Sequence, residues 1–315
     1  MAEPSIKNSK ILITGGAGFI GSNLAEALIK DNEIVVVDDL SMGKKENLPQ
    51  GANLHFIEHS IADYDFMSTL LETWKFDYIF LLAAVASVAD TIVRPAETHI
   101  INQDANLNVL ETIRTNKLPV KKILFSSSAA VYGNNPELPK KETSPIDPLS
   151  PYAVDKFATE RFVIDYGRLY DIPTVATRFF NVYGPKQNPK SPYSGVLSLI
   201  LAAIKSGSEF HFYGDGNQTR DFVFIKDVVS ALIILMCSDD AMYDVFNVAT
   251  GQSNSLINVS GIFENITGEK LIATFGPMRT GDIRDSLADI SKLRELGYLP
   301  KYSIEEGLSE YYQNN

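Results

Sequence analysis

A single cysteine, Cys237, occurs in 315 residues. One cysteine excludes an intramolecular disulfide and any thiolate metal cage. Its place at the end of an apolar run puts it in the core rather than at a reactive site. Histidine is nearly as scarce. His55, His59, His99 and His211 are scattered without metal-ligating spacing, so no metal is expected. Basic residues fall short of acidic ones, 28 against 39, and the net charge of −11 argues against nucleic acid or an anionic membrane as partner. Long apolar runs are missing. The longest, around Val228–Cys237, is too short to cross a bilayer. The amino terminus lacks the basic, apolar, small-residue order of a secretory signal, so a cytoplasmic protein is expected. No repeat, low-complexity tract or Gly/Ser linker divides the chain. The remainder, 45% hydrophobic and 21% charged, suffices for one large or two modest domains.

Residues 11–38 carry the most information. Lys10–Thr14 is a short apolar run of the kind that forms a buried parallel strand, and Phe19–Lys30 has Ile20, Leu24, Ala27 and Leu28 at helical spacing. Between them lies Gly15-x-x-Gly18-x-x-Gly21. Glycines there permit a tight turn, close approach of backbone to a pyrophosphate, and close packing of helix on strand. The following helix would aim its free N–H groups at the phosphates. A second apolar run ends at Asp38, seventeen residues after Gly21, where a carboxylate can bind two ribose hydroxyls and repel a 2′-phosphate. The pattern predicts an NAD site.

Strand and helix patterns alternate as far as residue 180. Strands are expected at Asn53–Glu58, Asp77–Ala84, Lys121–Ser128 and Pro173–Arg178, with helices at Phe66–Glu72, Glu97–Thr115 and Tyr152–Tyr170. This rhythm predicts an α/β protein with a doubly wound parallel sheet, a Rossmann arrangement, over 1–180. From Asn181 the rhythm changes. A smaller α/β substrate-binding domain is expected over 181–315, with 222–248 returning to the main sheet and the ligand cleft between the two.

Tyr152 and Lys156 are spaced i, i+4 on one helical face, so a cation sits beside a phenol that can serve as general base. Ser128 ends a strand, where doubly wound sheets bind ligands, and its hydroxyl suits a substrate oxygen. A surface pair is the plain alternative for Tyr-x-x-x-Lys taken alone.

Six segments carry a family resemblance nearly end to end: Thr14–Gly21, Ser126–Gly133, Ser150–Lys156, Arg178–Pro185, Gly214–Phe222 and Arg279–Asp282. On these the chain resembles the extended short-chain dehydrogenase/reductases, in particular the nucleotide-sugar epimerases typified by UDP-galactose 4-epimerase. The resemblance implies that Tyr152 takes the proton of a sugar 4-hydroxyl while hydride passes to NAD, and that a 4-keto sugar turns over in the site before reduction on its other face. It assigns Ser128 to the substrate oxygen and Lys156 to the ribose. The cofactor would be lined by Gly15, Gly18, Phe19, Ile20, Asp38, Asp39, Ser41, Gly43, Ser60, Ile61, Leu82, Ala83, Ala84, Asn102, Ser126 and Phe179, besides Tyr152 and Lys156. The nucleotide sugar would be held by Ser87, Asn181, Val196, His211, Tyr213, Arg220, Arg279, Asp282 and Ser286, besides Ser128 and Tyr152. Guanidinium forks suit a diphosphate in an otherwise acidic chain.

Departures from the family pattern narrow the substrate. Dehydratases carry an Asp-Glu pair where Ala129 and Ala130 stand, and decarboxylases usually keep the second acid. Four-epimerases of neutral, N-acetylated or uronate sugars remain. The small Ser286, seven residues after Arg279, stands where a tyrosine would crowd an N-acetyl group. It favours UDP-GlcNAc/UDP-GalNAc, with UDP-Glc/UDP-Gal and UDP-glucuronate as alternatives; a turn-capping serine is the plain reading. An NAD-sensing binding protein without turnover is the non-enzyme alternative. Ser60 replaces an acid often found against the adenine. Tyr-x-x-Ser-Lys becomes Tyr-x-x-Asp155-Lys, which places a negative charge beside Lys156. The resemblance further implies a homodimer through a four-helix interface of Glu97–Arg114 and Tyr152–Tyr170, with Phe157, Phe162 and Leu169 as apolar contributors.

Overall fold

The computed structural model describes residues 4–187, 195–278 and 284–314. The first part runs β1 (Lys10–Thr14), α1 (Phe19–Leu28), β2 (Glu33–Asp38), β3 (Leu54–Glu58), α2 (Tyr64–Trp74), β4 (Tyr78–Leu81), α3 (Val88–Val93), α4 (Pro95–His99), a π-helical turn (Ile100–Asp104), α5 (Ala105–Asn116), β5 (Lys122–Ser128), α6 (Pro151–Tyr170) and β6 (Thr174–Phe179). It continues with β7 (Asn181–Tyr183), α7 (Val196–Ser206), β8 (Glu209–Tyr213), β9 (Thr219–Arg220), β10 (Phe222–Phe224), α8 (Ile225–Cys237), β11 (Asp244–Val248), β12 (Asn254–Ser255), α9 (Leu256–Thr267), β13 (Ile272–Gly276), α10 (Ser291–Glu295) and α11 (Ile304–Gln313).

Seven strands form one parallel sheet in the order β11-β6-β5-β4-β1-β2-β3. The chain starts mid-sheet at β1, moves outward through β2 and β3, then crosses back to β4. The carboxyl ends of β1 and β4 therefore flank a topological switch point, where such sheets open a crevice. Side chains alternate across the strands, so each strand feeds two cores. Leu12, Val35, Val37, Ile79 and Phe125 pack with Leu70, Val109 and Val163 on one face. Ile11, Ile13, Val36, Phe80 and Leu124 pack on the other, in an apolar cluster that continues to Leu197, Phe263, Leu308 and Tyr311 near the carboxyl end. The carboxyl-terminal elements also form three two-stranded sheets: β7 with β10, β9 with β12, and β8 with β13.

The strands sit within a residue or so of the sequence pattern, except β4, which stops at Leu81 because the next backbone turns toward β1. One long helix was expected over Glu97–Thr115, and the structure breaks it with the π turn. Asn106 Nδ2 donates to the carbonyls of Ile101 (3.3 Å) and Asn102 (3.0 Å), and Thr159 Oγ1 donates to Asn102 O (3.1 Å), which draws those carbonyls off the regular ladder. Cys237 is likewise corrected. It is the last residue of α8 and is exposed, because the chain turns there and Lys122 Nζ takes the terminal carbonyls of Leu235 (3.2 Å) and Ser238 (2.5 Å) from below. No helix among the described residues is long and apolar enough to cross a membrane.

Candidate active site

A cavity of about 820 Å³ opens over the carboxyl ends of β1, β2, β4 and β5. Its floor is the turn between β1 and α1. Gly15 has φ +68°, and a Cβ there would lie 2.7 Å from Ala83 Cα, so any side chain would push the end of β4 away. A Cβ on Gly21 would fall 2.5 Å from Gly15 O. Helix α1 has Gly18 as N-cap, with no side-chain cap and no acid in its first turn, which leaves its positive end to an anionic ligand. Asp38 ends β2 with its carboxylate fixed by Ala17 N–H (3.0 Å) and Leu40 N–H (2.8 Å). Burial raises its pKa, and those donors oppose the rise. This cradle fits a dinucleotide, pyrophosphate over the glycines and ribose at Asp38.

Ser128, Tyr152 and Lys156 meet at the other end of the cavity, over β5 and α6. Helix α6 begins where the sequence dictates: Ser150 Oγ caps Ala153 N–H (3.2 Å) and Pro151 occupies the first turn. Tyr152 is thereby held on the first turn, within hydrogen-bonding reach of Ser128. Lys156, one turn on, is 2% exposed and donates to Ser126 O at 2.7 Å. Its Nζ lies 5.9 Å from the Tyr152 ring centre. Burial pushes Lys156 down to about 7 and raises Tyr152, which the Ser128 hydrogen bond opposes. The carboxylates lining the cavity, among the described residues, are Asp38 and Asp39 at the end of β2, three strands from the β5 end that carries Ser128. Ala129 and Ala130 form a 3₁₀ turn after Ser128, so no acid follows it there. No cluster of His, Cys, Asp or Glu among the described residues could hold a metal ion.

Most of the cofactor residues read from sequence line this cavity: Gly15, Gly18, Phe19, Ile20, Asp38, Asp39, Ser41, Gly43, Ile61, Leu82, Ala83, Ala84, Ser126 and Phe179. Two do not. Ser60 caps a turn through Ala62 N–H (3.3 Å), and its neighbours His59 and Ile61 face the cavity instead. Asn102 is fully buried behind the wall, where its Oδ1 accepts Val85 N–H (2.8 Å) and so pins the loop after β4. Thr14 was missed: its Oγ1 accepts Leu82 N–H (3.1 Å) and Ala83 N–H (3.2 Å), which locks that loop over the glycine turn. Lys44, Asn47, Arg94 and Lys186 also line the cavity, and no local sequence pattern marks them.

Of the residues read for the nucleotide sugar, Ser128 and Tyr152 line this cavity, while Ser87, Asn181, Val196, His211, Tyr213, Arg220 and Ser286 are not among its lining residues. Ser87 caps α3 through Asp90 N–H, and Asn181 donates to Asp221 O. Val196 opens α7. His211 and Tyr213 stand on β8, with rings 4.8 Å apart. Arg220 on β9 donates to the Thr219 and Arg284 carbonyls, and Ser286 N–H donates to Thr219 O at 3.1 Å, so Arg220 and Ser286 are neighbours. Asp221 holds this corner together by accepting from Thr250 N–H and Oγ1, Gly251 N–H and Ala288 N–H. Arg279 and Asp282 lie outside the described residues.

Residues 11–249 match the model of the NAD dependent epimerase/dehydratase family. The chain belongs to that family. NAD is accordingly the cofactor of this epimerase/dehydratase family member. Its sequence is 36% identical to the UDP-glucose 4-epimerase of Mycolicibacterium smegmatis, over 97% of this chain and 99% of the relative. Its structure is similar to the UDP-N-acetylglucosamine 4-epimerase of Methanobrevibacter ruminantium solved with UDP-N-acetylmuramic acid, at 38% identity, 98% coverage of both chains and a TM-score of 0.92. It is also similar to the UDP-glucuronic acid 4-epimerase of Bacillus cereus solved with UDP-glucuronic acid and NAD, at 29% identity, 97% and 98% coverage and a TM-score of 0.88.

Proposed function

We propose that this protein is an NAD-dependent UDP-sugar 4-epimerase that acts on UDP-GlcNAc and UDP-GalNAc and also on UDP-Glc and UDP-Gal. The observation that carries the reading is the convergence of Ser128, Tyr152 and Lys156 at one end of a dinucleotide cavity whose carboxylates stand at the other. Tyr152 takes and later returns the proton of the sugar 4-hydroxyl, while Ser128 holds that oxygen. Lys156 stabilises the phenolate and anchors the cofactor ribose. Bound NAD supplies the hydride acceptor and donor. The corner formed by Arg220 and Ser286, with Asn181, Val196, His211 and Tyr213, receives the nucleotide and the sugar, and Ser87, Arg279 and Asp282 complete the set. Within this reading the 181–315 lobe is the substrate-binding domain.

Among the described residues lining the cavity, the arginine is Arg94, which is engaged by Asp90 (2.9 and 2.6 Å) and Glu97 (2.9 Å). The test incubates the protein with UDP-GlcNAc, UDP-Glc and UDP-glucuronate separately and reads products by NMR. Interconversion of the N-acetylated pair supports the proposal. Turnover of UDP-Glc alone removes the Ser286 inference, and NAD binding without turnover leaves a binding protein. Ser286→Tyr is expected to lower kcat/KM for UDP-GlcNAc at least about tenfold more than for UDP-Glc, a difference of about 1.4 kcal/mol in transition-state binding. Equal losses on both sugars would remove Ser286 as the gate.

The same reading includes a homodimer. Val154 (49%), Phe162 (39%) and Leu169 (73%) expose apolar surface along α6, whereas Phe157 packs into the core of its own chain. Sedimentation equilibrium is expected to give twice the chain mass, and Phe162→Glu with Leu169→Glu to give monomer. A monomeric unmodified protein at micromolar concentration would contradict this interface.

A further inference from the structure

His59, the residue that follows β3, has no part in the chemistry so far described. Its N–H donates to Asp38 O at 3.1 Å, so it stands directly beside the residue that meets the ribose. Strands β2 and β3 are neighbours there, with Asp38 in register with Glu58. The imidazole lines the cofactor cavity, as do the apolar Ile61 and Met42. A dinucleotide with its pyrophosphate over the glycine turn and its ribose at Asp38 sets its base beyond β2, over the end of β3.

Two contacts fix the ring. It packs on Phe66 with ring centroids 4.0 Å apart, and its Nε2 is 2.9 Å from Asp63 Oδ2. Asp63 is fixed in turn as the N-cap of α2, where its Oδ1 accepts Phe66 N–H at 3.0 Å. The His59 hydrogen bond and that amide lower the pKa of the Asp63 carboxyl, so it faces the ring as an anionic acceptor. Nε2 therefore carries the hydrogen, and Nδ1 of the neutral ring carries a lone pair. Among the described residues Nδ1 has no hydrogen-bond partner. The neighbouring carboxylates are already engaged: Asp38 takes the Ala17 and Leu40 amides, and Asp39 takes the Ser41 amide.

We propose that His59 reads the base of the cofactor: its Nδ1 accepts a hydrogen from the exocyclic 6-amino group of adenine and disfavours a purine with oxygen at that position. Adenine presents a donor there and hypoxanthine an acceptor, so one lone pair attracts the first and repels the second. Asp63 sets the tautomer, and the tautomer sets the base. The inference rests on the placement of the ribose at Asp38.

The test measures the dissociation constants of NAD and of nicotinamide hypoxanthine dinucleotide by calorimetry, on the full chain at mildly alkaline pH. NAD is expected to bind about tenfold more tightly, the effect of one partly exposed hydrogen bond. His59→Phe keeps the ring stack and loses Nδ1, and its two constants are expected to agree within about twofold. The ¹⁵N resonance of His59 Nδ1, assigned by its loss in His59→Phe, is expected to shift with NAD and to stay in place with the analogue. Equal affinities in the unmodified protein overturn the proposal. So does a preference that survives in His59→Phe, because another group then reads the base. Asp38→Ala is expected to weaken both dinucleotides by the same factor. Unchanged affinity in that variant would remove the ribose placement, a failure distinguishable from failure of the base contact.

Discussion

Replacing Tyr152 with phenylalanine is expected to lower kcat by about a hundredfold to ten-thousandfold, the range that one positioned general base contributes. NAD should remain bound, because Gly15, Gly21 and Asp38 are untouched and Lys156 keeps its bond to Ser126 O. The size of the effect follows from the surroundings. Burial makes the phenol harder to ionise, so Tyr152 becomes a base near neutral pH only with help. In the proposed mechanism that help comes from the Ser128 hydrogen bond and from the positive charge of Lys156. Phenylalanine fills the same space without an oxygen, so packing is retained and the proton has no acceptor. The measurement is single-turnover UDP-sugar epimerisation beside NAD binding by calorimetry. A near-normal rate would overturn the mechanism, and loss of both activities together would point to damage of the fold.

Glu160→Gln carries the largest expected effect on stability. Glu160 is fully buried on α6, and Arg178 on β6 meets it through two bonds of 2.9 and 2.6 Å. The same guanidinium donates to Tyr132 Oη (3.0 Å) and to the Glu142 carbonyl (3.0 Å), and Tyr132 donates to Asn247 Oδ1 on β11 (2.6 Å). One arginine therefore joins α6 to two strands of the sheet. Removing its carboxylate leaves a buried cation unpaired, which costs about 3 to 5 kcal/mol where it has been measured in proteins. Denaturant unfolding of the NAD-free protein reads it as a lower midpoint at an unchanged slope. A loss below about 1 kcal/mol would mean that water reaches Arg178 in the variant.

These two residues differ in how much of their role is visible in sequence. Tyr152 and Lys156 are four apart on one helix, and the capping Ser150 and Pro151 start that helix where it must start. Local geometry alone brings them together. The same holds for Gly15, Gly18, Gly21 and Asp38, which lie within one βαβ unit whose covalent connection fixes their separation. Arg178 stands in a recognisable motif, yet its partner Glu160 is chosen only by the packing of α6 on β6. Asp221 follows Arg220 in another motif, and its partners at Thr250, Gly251 and Ala288 come from segments distant in the chain.

The positions whose surroundings a local pattern does not show share one cause. Asn102 belongs to a helical pattern, but the π turn rotates it behind the cavity wall, where it holds Val85. Ser60 and His59 are adjacent, and the turn into α2 decides which of them faces the cavity. Cys237 ends an apolar run, yet the helix reaches the surface at that residue. Thr14 reads as one more strand residue until β4 is laid beside β1 and its hydroxyl meets the Leu82 and Ala83 amides. By itself the sequence determined the parallel α/β class, the cofactor cradle and the Tyr–Lys pair, because each is written in residues close along the chain. Only the tertiary structure decided which polar side chains line the cavity and which brace it. Those roles depend on contacts between segments tens to more than a hundred residues apart, which no local pattern encodes.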